Sequence, residues 1–209
     1  MTTVGVVRYG TGNLDSVVRA LEACGGAPTI LDTPAALDTV AAIVLPGVGA
    51  FGHGMAMLEA GGFIDPLRAE VLGNRIPVLG ICLGMQLLAE RGYEGSSDGV
   101  PGLGWIDGEV TRLPPDERVP HMGWNAVYPE DTDGGDALLR GVAPGEDFYF
   151  VHSYRMAPAN ADVWAANTPY GDRFCSAVAH EHVWGVQFHP EKSQNAGFRV
   201  LKNFLETAC

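Results

Sequence analysis

The sequence predicts an α/β fold: a central, mostly parallel sheet flanked by helices, with an additional antiparallel β section. Short apolar strands alternate with helical patterns as far as Leu88, the pattern expected of βα units. From Arg91 onward the chain reads as strands joined by polar turns, without long helices until the C-terminal end. Glycine clusters stand where the first strands end, as they do at the ligand-binding edge of an open sheet. In order, Val4 to Val7 is a strand, and Gly10-Thr11-Gly12-Asn13 turns it into a helix with Leu14, Val17, Val18 and Leu21 at helical spacing. A second strand covers Thr29 to Leu31, and Thr33-Pro34 reads as an N-cap and first helical position. Ala41 to Leu45 is the third strand, running into a glycine-rich loop, Pro46-Gly47-Val48-Gly49-Ala50-Phe51-Gly52. Ile64, Leu67, Val71 and Leu72 mark a helix closed by Gly73-Asn74, and Ile76 to Leu79 is the fourth strand. A helix is expected just after Cys82, then a polar loop from Gly92 to Gly99. Strands are expected at Trp105 to Leu113, His121 to Tyr128, Phe148 to Met156, Val163 to Ala166, Ser176 to Ala179 and Val183 to Phe188. Glu181-His182 forms a hairpin tip, and Phe198, Leu201 and Leu205 mark a final helix.

Residues 1 to 209 are expected to form one domain, since no repeat, low-complexity stretch or interdomain linker interrupts them. A formal charge of -12 with only 13 basic residues argues against nucleic acid or an anionic membrane as partner. The four cysteines, Cys24, Cys82, Cys175 and Cys209, are widely and irregularly spaced, which suggests neither a disulfide scaffold nor a zinc knuckle. There is no signal-like start and no apolar run of membrane-spanning length, so a soluble, cytoplasmic protein is expected.

The chemistry centres on Gly80-Ile81-Cys82-Leu83-Gly84-Met85-Gln86. A cysteine between two glycines at the end of an apolar strand matches a nucleophile elbow, where the glycines remove Cβ atoms that would collide around the turn. A helix starting after Cys82 aims its amides at the sulfur and favours thiolate. A buried structural cysteine in a tight turn is the competing reading. His189-Pro190-Glu191 also follows an apolar strand and offers an imidazole with a carboxylate two residues on, stiffly spaced by proline, although such a tripeptide also fits a surface turn. Gly10-x-Gly12 with Asp32 suggests a dinucleotide site, but the third glycine is absent and Asp15 would face the pyrophosphate. His180 and His182 share a strand face at chelating spacing, yet no third ligand accompanies them, so no metal is expected. His53, His121 and His152, beside glycine or aromatic residues, are read as structural.

Together, Pro46-Gly47-Val48-Gly49, the Cys82 elbow and Gly185-Val186-Gln187-Phe188-His189-Pro190-Glu191 resemble, in order and spacing, the class I (triad) glutamine amidotransferases, over Val4 to Leu205. Tyr9-Gly10-x-Gly12-Asn13, His121-Met122-Gly123-Trp124-Asn125, Tyr149-Phe150-Val151-His152-Ser153-Tyr154 and Lys192-Ser193-Gln194 narrow the likeness to glutaminase subunits of imidazole glycerol phosphate synthases. The resemblance implies a Cys82-His189-Glu191 triad acting on L-glutamine without a cofactor. It implies oxyanion donors at Leu83 and within Gly47-Val48-Gly49, where Val48 replaces a common glycine and the loop is expected to reorient before donating. It implies substrate contacts at Gln86, Glu94, Ser153 and Tyr154. It further implies a heterodimer with a (β/α)₈ cyclase that receives the ammonia, with Asn13, Trp124, Tyr149 and Lys192 at or near the interface. Another amidotransferase glutaminase, a catalytically silent regulatory module and a stand-alone γ-glutamyl hydrolase are the alternatives; the blocks around Trp124 and Tyr149, the intact triad and the absent signal segment respectively weigh against them.

Overall fold

The computed structural model describes residues 1–10, 12, 14–131 and 135–208, so Asn13 and Cys209 lie outside the described residues. The first half is a run of βα units. β1 (Thr3–Val7), α1 (Leu14–Ala23), β2 (Ala27–Leu31), a 3₁₀ turn at Pro34–Thr39 and β3 (Ala42–Gly47) come first. α2 (Phe51–Ala60), α3 (Ile64–Arg68) with a π-helical turn at Ala69–Gly73, β4 (Val78–Cys82) and α4 (Leu83–Leu87) complete it. β5 (Ala89–Gly92), β6 (Val100–Pro101), β7 (Ile106–Arg112), β8 (His121–Pro129), α5 (Gly135–Leu139), β9 (Glu146–His152) and β10 (Tyr154–Pro158) follow. β11 (Trp164–Tyr170), β12 (Asp172–His180), β13 (Val183–Val186) and α6 (Gln194–Thr207) close the chain.

Nine strands form one sheet in the order β2-β1-β3-β4-β13-β12-β11-β8-β9. β2 through β13 pair in parallel, and β12, β11, β8 and β9 continue the sheet antiparallel. A second sheet, β10-β7-β5-β6, stands apart. The central strands β3 and β4 are buried along almost their whole length, which explains their continuous apolar runs. Each face of the sheet carries its own apolar core, one under α1 and α6 and one under α2 and α3. No helix among the described residues is long and apolar enough to cross a membrane.

Several expectations are corrected. The glycine-rich loop is shorter than expected, because α2 begins at Phe51; Gly54 lies inside that helix, where an added Cβ would come 3.1 Å from Leu83 Cδ2. The helix after Cys82 is only five residues long and gives way to β5, all five being buried. The strand read over Phe148 to Met156 is two strands in different sheets: β9 pairs with β8, and from Tyr154 the chain pairs with β7. Phe148, Phe150, His152 and Met156 remain buried across the break, so the period of two hides the change of sheet. Thr33 precedes the turn at Pro34 but makes no side-chain capping bond.

Candidate active site

Strand order alone brings the three motifs together. β3, β4 and β13 are adjacent and parallel, with Gly47 opposite Cys82 and Ile81 opposite Val186. The glycine-rich loop, the elbow and His189 therefore leave the sheet at the same carboxyl edge. Cys82 adopts φ 54 and ψ −107, a left-handed backbone that ordinary side chains avoid and that lifts the side chain off the sheet. The flanking glycines are obligatory: a Cβ on Gly80 would lie 2.6 Å from Met85 N, and one on Gly84 1.7 Å from Leu45 O. Gly185 is equally tight, 2.6 Å from Met85 Cγ.

His189 Nδ1 donates to Glu191 Oε1 at 2.8 Å, with both side chains only 4% exposed. That bond leaves Nε2 for chemistry, and Nε2 has no hydrogen-bond partner of normal geometry among the described groups. Burial disfavours the charged imidazole, but Cys82 and then Glu191 outweigh it and raise His189 to about 9. The ring is thus suited to hold a proton taken from the sulfur and return it to a leaving group. Cys82 Sγ lies 3.8 Å from the Val151 carbonyl and 3.7 Å from Gln187 Nε2, which donates to it. An open cleft of roughly 450 Å³ faces the sulfur, and Val48, Gly49, Leu83, Gln86, Glu94, Ser153 and Tyr154 all border it.

A family model for class-I glutamine amidotransferases matches residues 6–208. The chain belongs to that family. Among its amidotransferase relatives, the imidazole glycerol phosphate synthase subunit HisH of Moorella thermoacetica is 44% identical over 207 residues, covering 99% of this chain and 95% of the relative. The HisH of Methanothermobacter thermautotrophicus is 45% identical over 207 residues, covering 97% and 98%. Among solved structures, a glutamine amidotransferase superposes with a TM-score of 0.76 at 21% identity over 98% of both chains. PurLQS from Thermotoga maritima gives 0.75 at 20% identity over 99% of both. At those identities the superpositions speak for the fold.

Within this amidotransferase, Gln86 is 4% exposed, and its Nε2 donates to the Tyr154 carbonyl at 2.8 Å and to Gln187 Oε1 at 2.9 Å. Glu94 is more than a solvated loop acid: its Oε2 accepts the Phe51 amide at 2.8 Å and so ties the cleft to the start of α2. Trp124 and Tyr149 are cross-strand partners whose rings meet edge to face with centroids 6.0 Å apart, and Lys192 Nζ stands 5.7 Å from the Tyr149 ring centroid. Three of the residues expected at an interface therefore form one column, with Trp124 49% exposed. His182, weighed as a chelator, donates instead to the Val71 carbonyl at 2.6 Å. Cys24, Cys82 and Cys175 are free thiols.

Sequence reasoning did not single out Gln187 and Tyr9, which the structure places against Cys82 and the glycine-rich loop. Tyr9 is buried against the loop, and a Cβ on Gly47 would lie 2.1 Å from its hydroxyl. Burial, and then the charge of Cys82, push its phenol above the usual range. Gln187 and His189 both follow the end of β13 at Val186, in a bend where Gln187, Phe188 and His189 are all buried, so no alternation of faces marks Gln187.

Proposed function

We propose that this chain is the glutaminase subunit of an imidazole glycerol phosphate synthase. It hydrolyses L-glutamine to L-glutamate and ammonia and passes the ammonia to a (β/α)₈ cyclase partner that makes imidazole glycerol phosphate and aminoimidazole carboxamide ribotide in histidine biosynthesis. The observation that carries the reading is a cysteine on a strained elbow beside a buried His189–Glu191 pair. Cys82 attacks the side-chain amide carbon, forming a C–S bond as His189 takes the thiol proton. His189 then protonates the departing nitrogen, the C–N bond breaks, and ammonia leaves a γ-glutamyl thioester. Water activated by the neutral imidazole cleaves that thioester, releasing glutamate and the thiol. Glu191 orients and stabilises the imidazolium. The Leu83 amide and one from Gly47-Val48-Gly49 hold the oxyanion, with Gln86, Glu94 and the backbone near Ser153 and Tyr154 binding the amino-acid end. Trp124, Tyr149 and Lys192, with Asn13, serve the partner face, because an aromatic pair capped by a cation offers both apolar area and charge.

The test is glutamine hydrolysis by the chain assembled with its cyclase partner. Cys82→Ala is expected to lower it at least about a thousandfold, while synthesis from free ammonia continues. Retained glutamine turnover would overturn the triad, and loss of ammonia-dependent synthesis would show that the chain supplies more than nitrogen.

A further inference from the structure

Asn125, His121 and His152 join the contact between β8 and β11 to the nucleophile through a continuous set of hydrogen bonds. Asn125 Oδ1 accepts the Ala126 amide at 2.8 Å, so its Nδ2 must be the donor to the Pro169 carbonyl at 3.0 Å and to His121 Nε2 at 3.1 Å. With Nε2 accepting, His121 carries its proton on Nδ1 and donates it to His152 Nε2 at 2.9 Å. His152 in turn carries its proton on Nδ1 and donates to the Tyr154 carbonyl at 2.9 Å. The far end gives the same answer independently, because a carbonyl can only accept. Every bond thus points one way, and one extra proton on either ring would set two donors face to face.

The chain ends at the catalytic groups. The Tyr154 carbonyl that receives His152 also receives Gln86, and Gln86 holds Gln187, whose amide reaches Cys82 Sγ. His121 and His152 are only 4% and 6% exposed, and His121 stacks on Phe150 and lies against Tyr170 with centroids 4.9 Å and 4.0 Å away. Burial lowers His121 to about 4; it also lowers His152 to about 3, against the opposing pull of the Tyr154 carbonyl.

We infer that Asn125, His121 and His152 are positioning residues: a directional, uncharged relay that holds the Tyr154 carbonyl, and through it the carboxamides of Gln86 and Gln187, in place against Cys82. This rests on the reading of Cys82 as nucleophile. Neither histidine touches the reacting sulfur; both act through the Tyr154 carbonyl and Gln86 on Gln187, which does.

Two measurements test it. In the wild-type chain with ¹⁵N-labelled histidine, NMR at neutral pH should find both rings uncharged with the proton on Nδ1. An Nε2–H tautomer or a charged ring at either position would overturn the relay without any substitution. In the chain assembled with its cyclase, Asn125→Ala, His121→Phe and His152→Phe should each raise KM for glutamine about tenfold, the effect of losing one net hydrogen bond. Synthesis from free ammonia should stay at the wild-type rate. Because Asn125 and His121 lie in one series, the double variant should match the single ones. Additive losses, or lowered thermal stability at an unchanged KM, would reduce these residues to scaffold and refute the inference. Glutamine turnover surviving Cys82→Ala would instead defeat the triad, an outcome that the tautomer measurement does not share.

Discussion

At the scale of single residues, small changes around the elbow should separate catalytic from structural demand. Gly84→Ala places a methyl 1.7 Å from the Leu45 carbonyl, so it should destabilise the fold by about 3 kcal/mol or more, read as a shifted urea midpoint. Gly49→Ala meets open space, but Gly49 has φ 111, so the cost is backbone strain of about 1–2 kcal/mol, concentrated in the loop. That variant should lose glutamine turnover with a smaller fall in urea midpoint than Gly84→Ala shows. His189 gives a pH signature. Its folded value of about 9 exceeds the unfolded 6.5, so its stabilisation is full below pH 6.5 and is lost as pH rises toward 9. Urea midpoints across that window should fall more steeply for wild type than for His189→Gln, by on the order of 1–3 kcal/mol in total. Cys82, His189 and Glu191 were legible in the sequence because each stands in a short motif whose backbone needs are local. Gln187, Tyr9 and the His121–His152 pair were not, since their roles depend on which distant strand lies beside them.

At the scale of elements, α6 is the support for the base. Gly197 lies so close to the His-Pro-Glu turn that a Cβ would meet the Pro190 carbonyl at 1.9 Å. Ser193 adds a second tie, accepting the Tyr149 amide at 3.0 Å while donating to the His189 carbonyl at 2.6 Å. Gly197→Ala should therefore push His189 and Glu191 off the sulfur. Glutamine turnover is expected to drop at least about tenfold, checked against free-ammonia synthesis in the same assembly. The parallel strands were readable because burial on both faces gives unbroken apolar runs. α2 was hidden behind Gly52 and Gly54, the first small against Val100 and the second where the helix crosses Leu83 and Leu87. The switch between β9 and β10 was hidden because the alternation of buried side chains runs on through Ser153.

At the scale of the whole molecule, the column of Trp124, Tyr149 and Lys192 is the face to probe for assembly. Trp124→Ala should weaken binding of the cyclase by about 2 kcal/mol, roughly thirtyfold in Kd by calorimetry, and leave the free chain's thermal midpoint nearly unchanged, since Trp124 is 49% exposed. The sheet order has a further meaning for how the protein comes into being. β4 and β13 are hydrogen-bonded neighbours, yet residues 83–182, including all of β5 to β12, are made between them. A growing polypeptide displays the Cys82 thiol long before the His189 imidazole exists. On the proposed mechanism, competence is therefore conferred by the closing segment of synthesis, and any fragment ending before β13 carries Cys82 without His189.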